Sequence, residues 1–202
     1  MKIIGITGIS GSGKTAAARL LAAMRGFLVE ADPLAHSLMK KGQAAYNEIV
    51  EAFGDEILGE DGEISRPALG KLVFEDREKL SRLEGIIHPR VIKKTMELIS
   101  QAEKTGHYSF AIIDAPLLIE AGMHKLCHSC WLITASHDTR LKRIMARDNI
   151  SQEAATKRLA ARKGDAALRP YADIIIENNS DSMDALREKV QEKIQENVLE
   201  KM

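Results

Sequence analysis

The chain carries no net charge, no long apolar run and almost no cysteine, and each deficit removes a class of protein. Its 202 residues hold 29 Lys and Arg against 29 Asp and Glu, which argues against a globally basic nucleic-acid binder. A hydrophobic content of 45 % is too high for a disordered chain. No apolar stretch approaches the roughly 18 residues of a bilayer-spanning helix, and MKIIGITGISG is broken by Gly, Thr and Ser before a signal h-region can form. A cytoplasmic protein with neither membrane nor nucleic-acid partner is expected. A chain of this length buries roughly 70 % of its unfolded surface and needs no disulfide or metal staple.

The two cysteines, Cys127 and Cys130, are spaced C-x-x-C with His124 and His128 close by, the outline of a redox pair or half a zinc site. They lead into Trp131-Leu132-Ile133, which reads as a buried strand. Strand alternation sends successive side chains to opposite faces, so Cys127, His128 and Cys130 converge only if 124–129 form a loop. The expectation is two ordinary packed or part-exposed cysteines and no metal.

Short β-branched or apolar runs at KIIGIT, FLVE (27–30), YSFAIID (108–114), SCWLITA (129–135) and ADIIIE (172–177) read as strands. The runs at 108–114 and 129–135 are each expected to be followed by a helix. Between about 44 and 104 nearly everything reads helical, broken by the acidic turn GDEILGEDGEIS and by His88-Pro89. Asp32-Pro33 reads as an N-cap with proline at the first helical position. Met183, Leu186, Val190, Ile194 and Val198 recur at steps of three and four, a closing amphipathic helix. Five strands alternating with helices predict an α/β fold with a parallel sheet in three layers and a helical insertion.

The strongest chemical signal is Gly8-Ile9-Ser10-Gly11-Ser12-Gly13-Lys14-Thr15, a complete G-x-x-x-x-G-K-[ST] phosphate loop between a strand and a helix. Its glycines let backbone N–H groups turn inward onto phosphate oxygens, Lys14 reaches the β and γ phosphates, and the Thr15 hydroxyl can ligate Mg²⁺. Asp114, ending the strand at 108–114, is placed as a Walker B carboxylate on the metal side, with helix N-capping as its other role. A guanine-nucleotide switch would carry N-K-x-D after the late strand and D-x-x-G after Asp114. Here stand Asn178-Asn179-Ser180-Asp181 and Asp114-Ala115-Pro116-Leu117.

Phosphoryl transfer needs mobile cations over the γ-phosphate. Arg140, Arg143, Arg147, Arg158, Arg162 and Lys163 supply them across two helical segments, and a solvated basic face is the alternative for each. From Arg140 to Arg169 there are nine basic and three acidic residues, so neutrality is a sum of a basic segment and an acidic remainder. An acceptor hydroxyl needs a carboxylate, and Asp32, just past the second strand, is placed for it.

Taken together, the phosphate loop, VEADPLAH (29–36), DGEISRPAL (61–69), IIHPRV (86–91), DAPLLIEAG (114–122), MARD (145–148) and ADIIIEN (172–178) resemble the dephospho-coenzyme A kinase family over essentially the whole chain. The resemblance implies a P-loop NTPase fold similar to nucleoside monophosphate kinases. It also implies transfer of the ATP γ-phosphate to the ribose 3′-hydroxyl of dephospho-coenzyme A, with ATP and Mg²⁺ as the groups bound. Expected segments are a core of 1–32, 106–149 and 171–202, a helical acceptor-binding insertion at about 33–105, and a lid at about 150–170.

The resemblance places Asp32 as base and puts Gly8, Gly11, Ser12, Gly13, Lys14, Thr15, Ala16, Arg140 and Asn178 on the nucleotide. Arg147 becomes catalytic with Lys14, and Asp32, His88 and Arg147 line the acceptor. The loop reads T-G-I-S-G-S-G-K-T where the family more often has T-G-G-I-G-S-G-K-S. Glu30 stands for a usual Asp, and Arg162 for a usual Gln. Another small-molecule or nucleoside monophosphate kinase is the second reading, and a nucleotide-dependent switch the third. Oligomeric state is not legible.

Overall fold

The computed structural model describes residues 1–160 and 164–196. Arg162, Lys163 and Val198 lie outside the described residues. Five strands form one sheet: β1 (Lys2–Thr7), β2 (Gly26–Glu30), β3 (Phe110–Asp114), β4 (Ser129–Thr134) and β5 (Ile174–Glu177), in the order β2-β3-β1-β4-β5. β1 pairs in parallel with β3, Ile6 opposite Asp114, and with β4, Thr7 opposite Leu132. β4 in turn pairs in parallel with β5. Every residue of β3, and all but the first of β1 and β4, is buried. Helices therefore cover both sheet faces, which is why these strands read as continuous apolar runs.

The chain divides into two compact units. The first comprises Met1–Val29 and the chain from Ala102 on. Its core joins Ile4, Ile6, Ile112, Trp131 and Ile133 of the sheet to Ala17, Ala18 and Leu21 of α1 (Lys14–Ala23). Leu186, Val190 and Ile194 of the closing helix, Met183–Ile194, join the same cluster.

The second unit, Glu30–Gln101, is helical. α2 spans Ala31–Leu38, α3 Tyr46–Phe53 and α4 Arg66–Phe74, and α5 (Arg77–Lys104) begins within it. The acidic turn holds a short 3₁₀ turn at Asp55–Ile57 and an antiparallel bridge between Leu58 and Ile64. Ser65 caps α4, its hydroxyl accepting from Ala68 N at 3.4 Å.

Three local expectations are corrected. α2 starts at Ala31, so its N-cap is Glu30, without a side-chain bond, and Asp32 sits inside the first turn with Pro33 behind it. Asp32 does not cap; its charge lies beside the positive helix end, which favours an anion.

Pro89 does not break the insertion, because α5 runs 28 residues through it. A proline lacks the N–H that would bond the carbonyl four residues back, here that of Gly85; Arg90, next along, braces the turn through Nη1, which donates to the Ile86 carbonyl at 2.6 Å. The same guanidinium donates to Ala44 O at 3.1 Å and pairs with Glu48, tying α5 to the start of α3.

No α-helix directly follows β3. Residues 116–122 form turns, with Ala121 N bonded to Leu117 O, leading to a 3₁₀ helix at Met123–Leu126 whose N-cap is Gly122. Asp114 therefore caps no helix.

Candidate active site

The phosphate loop leaves the carboxyl end of β1 and enters α1 at Lys14. Gly11 and Gly13 have φ of +81° and +92°, the left-handed region. A Cβ on Gly11 would lie 2.9 Å from Arg140 Cα, and one on Gly13 would fall on the Asn178 amide. Both positions thus require glycine for backbone conformation and for space. α1 has no side-chain N-cap, so no capping side chain competes with an anion at the positive end of the helix. The Thr7 and Ser12 hydroxyls are buried without a hydrogen-bond partner.

Lys14 Nζ forms an ion pair with Asp114, whose side chain is 4 % exposed against 14 % for the lysine. β1 and β3 are neighbours, so the loop lysine and the strand-end carboxylate meet at the carboxyl end of the sheet. Thr15 and Asp114 supply hard oxygen donors of the type Mg²⁺ takes, usually with several waters retained. The residues present therefore fit that ion.

Asn178, buried just beyond β5, donates its amide to the Ser12 carbonyl at 2.9 Å, and its backbone N–H reaches Thr134 O at 2.8 Å. The sequence expectation placed it on the nucleotide; in the structure its amide props the loop. Arg143 adds a second prop. Its Nη1 donates to Gly11 O at 3.3 Å and Asn178 O at 3.0 Å, and its Nη2 to Ser180 O at 2.6 Å. The sequence grouped Arg143 with the phosphate-facing cations. No local signal distinguished it, because its partners are backbone carbonyls far along the chain.

Arg140 and Arg147 lie on α6 (His137–Asp148), which Ser136 caps. Arg140 packs against Gly11, and its Nε is buried without a partner. Arg147 is held in a two-pronged pair by Asp148, Nε and Nη2 each at 2.8 Å. Arg158, on α7 (Gln152–Ala160), pairs with the same carboxylate. The Arg147 bond, followed by the charges of both arginines, holds the Asp148 carboxyl below the usual carboxylate value and raises Arg147. Farther on, α8 (Asp165–Leu168) is tied back to the sheet by a Thr134 hydroxyl to Asp165 hydrogen bond. Neither Asp148 nor Asp165 was singled out from sequence.

Beside the loop, Gly13, Ala16, Asn178, Ser180, Met183 and Leu186 border a cavity of about 220 Å³. In the second unit, Asp32 is exposed and His88 is half-buried on α5. Burial, and then the charge of Arg66, holds His36 below its usual value, with Asp32 opposing.

A glycine-rich loop feeding a helix, a lysine paired with an aspartate on the adjacent parallel strand, and strand order β2-β3-β1-β4-β5 define a P-loop kinase. Comparison with known proteins gives the particular member. The family model described as dephospho-CoA kinase matches residues 2–184. The dephospho-CoA kinase of Carboxydothermus hydrogenoformans is 36 % identical over 190 residues, 94 % of this chain and 91 % of that protein. Among solved structures, TT1252 from Thermus thermophilus superposes with a TM-score of 0.81 at 31 % identity, covering 98 % of both chains. Dephospho-CoA kinase from Campylobacter jejuni does so at 0.71 and 27 %, covering 100 % of each. The chain belongs to the dephospho-CoA kinase family and is an enzyme of the transferase class. No helix among the described residues is long and apolar enough to cross a membrane.

Proposed function

We propose that this protein transfers the γ-phosphate of ATP to the ribose 3′-hydroxyl of dephospho-CoA, forming CoA and ADP in the cytoplasm. The Lys14–Asp114 pair at the end of an intact phosphate loop, in a chain of this family, carries the reading.

ATP phosphates lie on the N–H groups of Gly11 through Ala16, and Lys14 offsets charge on the β and γ groups. Thr15 and Asp114 would hold Mg²⁺, which neutralises charge developing between the β and γ phosphates. The cavity bordered by Gly13, Asn178 and Leu186 takes the adenine, its apolar side on Met183 and Leu186. Asp32 accepts the proton of the 3′-hydroxyl as that oxygen attacks the γ-phosphorus in line and ADP leaves. The segment at about 150–170 acts as a lid, bringing Arg147 to the phosphates beside Arg140. The insertion at about 33–105, with His88, receives the acceptor.

The test is ADP release with dephospho-CoA compared with a panel of nucleosides and nucleoside monophosphates. Turnover on dephospho-CoA with a phosphate added at the 3′ position by mass and NMR is expected. Turnover on a nucleotide and none on dephospho-CoA would sink the reading.

A further inference from the structure

Cys127 and Cys130 take no part in the kinase chemistry, yet the fold brings their thiols together. β4 begins only at Ser129, and the 3₁₀ turn at Met123–Leu126 delivers Cys127 in a loop. The convergence that strand alternation forbids is therefore open to this pair. Cys127 Sγ lies 3.4 Å from Met123 O and Cys130 Sγ 3.8 Å from His124 O, consecutive carbonyls of one turn.

Gly5, opposite Cys130 in the β1–β4 register, makes the room: a Cβ there would sit 2.6 Å from Cys127 Sγ. Cys127 is part-exposed and Cys130 is 6 % exposed. The two histidines are turned to other tasks. His128 Nδ1 accepts from Ile3 N at 3.1 Å, and the His124 ring meets Tyr171 edge-on at 5.4 Å. Among the described residues no group of three or more possible metal ligands gathers around the thiols.

We propose that Cys127 and Cys130 form a redox-active dithiol that closes to an intramolecular disulfide by exchange with a low-molecular-weight disulfide. One cysteine thiolate attacks a sulfur of the external disulfide, forming a mixed disulfide and expelling one thiolate. The second cysteine gives its proton to that departing thiolate or to water and attacks the protein-side sulfur, expelling the other thiolate. The two cysteines lose two electrons and two protons, and the external disulfide is reduced to two thiols. The single Cys127 S–H rests on the Met123 carbonyl while both thiols are protonated, and turning to a Cys130 thiolate it would stabilise that thiolate. Here the Cys127 bond holds Cys130 below its usual value, and the same bond, with burial, pushes Cys127 up.

The full chain is incubated with glutathione disulfide, quenched in acid, alkylated and mapped by peptide mass spectrometry. The expected product lacks two hydrogens, resists alkylation at both cysteines and returns to the dithiol with reductant. Cys130→Ser should instead carry glutathione on Cys127, with ATP affinity retained as the check on folding. Both cysteines alkylated after incubation, or a stable glutathione adduct on Cys127 in the wild-type chain, would overturn the proposal.

Discussion

Gly13→Ala tests whether the phosphate loop and Asn178 form one mechanical unit. At φ +92° an L residue costs about 1–2 kcal/mol. The new Cβ also falls on the Asn178 amide, which must swing away and give up its 2.9 Å bond to the Ser12 carbonyl. Leaving a buried polar group without its partner costs about 1–3 kcal/mol. Gly13→Ala should therefore lose about 2–5 kcal/mol of stability and Asn178→Ala about 1–3 kcal/mol. Both single substitutions break the same bond, so the double variant should lose no more than Gly13→Ala alone. Urea unfolding of the four proteins measures this. The KM for ATP should rise by at most the same free energy, up to roughly 150-fold for loss of the Ser12 anchor. Single costs that simply add in the double variant would refute the shared bond.

Removing the Lys14 ammonium leaves Asp114, 4 % exposed, as a buried unpaired carboxylate, so Lys14→Ala should lose about 3–5 kcal/mol in urea unfolding. Adding Asp114→Asn should recover most of that stability and none of the ATP turnover; an equally unstable double variant would count against the pair. Asp32→Asn should cut turnover by ~10² or more with the KM for ATP unchanged and stability lowered by no more than the ~0.3–1 kcal/mol of a charge at a helix start, since the side chain is exposed and caps nothing. Near-native turnover would remove Asp32 from the chemistry. His36 is held below its usual 6.5, so the folded chain binds its proton less readily than the unfolded one. Its contribution is intact above 6.5 and is lost as pH falls from there toward the lowered folded value. His36→Gln should flatten the acid side of the stability profile, measured from about pH 8 to about pH 5; an unchanged slope would show that His36 is not its source.

The strands were legible because β1, β3 and β4 are covered on both faces, and complete burial leaves a continuous apolar run in the sequence. The phosphate loop was legible because backbone geometry dictates its glycines. What escaped depends on partners remote in sequence. Pro89 has its usual helix-breaking meaning in the sequence, yet α5 runs on through it, and the contacts that brace it there, from Arg90 to Ile86 O, Ala44 O and Glu48, are tertiary. The Asp32 N-cap reading failed by two residues, because β2 passes into α2 at Glu30 with no side-chain cap to mark the start. The convergence of Cys127 and Cys130 turned on whether β4 begins before or after His128, a boundary that β-propensity alone does not place.

The basic segment shows why counting cations misjudges a phosphate site. Nine basic residues lie between Arg140 and Arg169, yet Arg143 is committed to the carbonyls of Gly11, Asn178 and Ser180. That arginine shapes the loop from behind. Arg147 and Arg158 share one carboxylate, Asp148, across the junction of α6 and α7. A guanidinium pairs with carboxylate and with phosphate through the same two-pronged geometry, so a phosphate that captures Arg147 replaces one such pair by another. If the segment serves as the lid proposed above, Arg147 would pass from one anion to another and the exchange would be close to balanced. The lid would then close on ATP and reopen for ADP, whereas a cation waiting unpaired would bind the product nearly as tightly as the substrate.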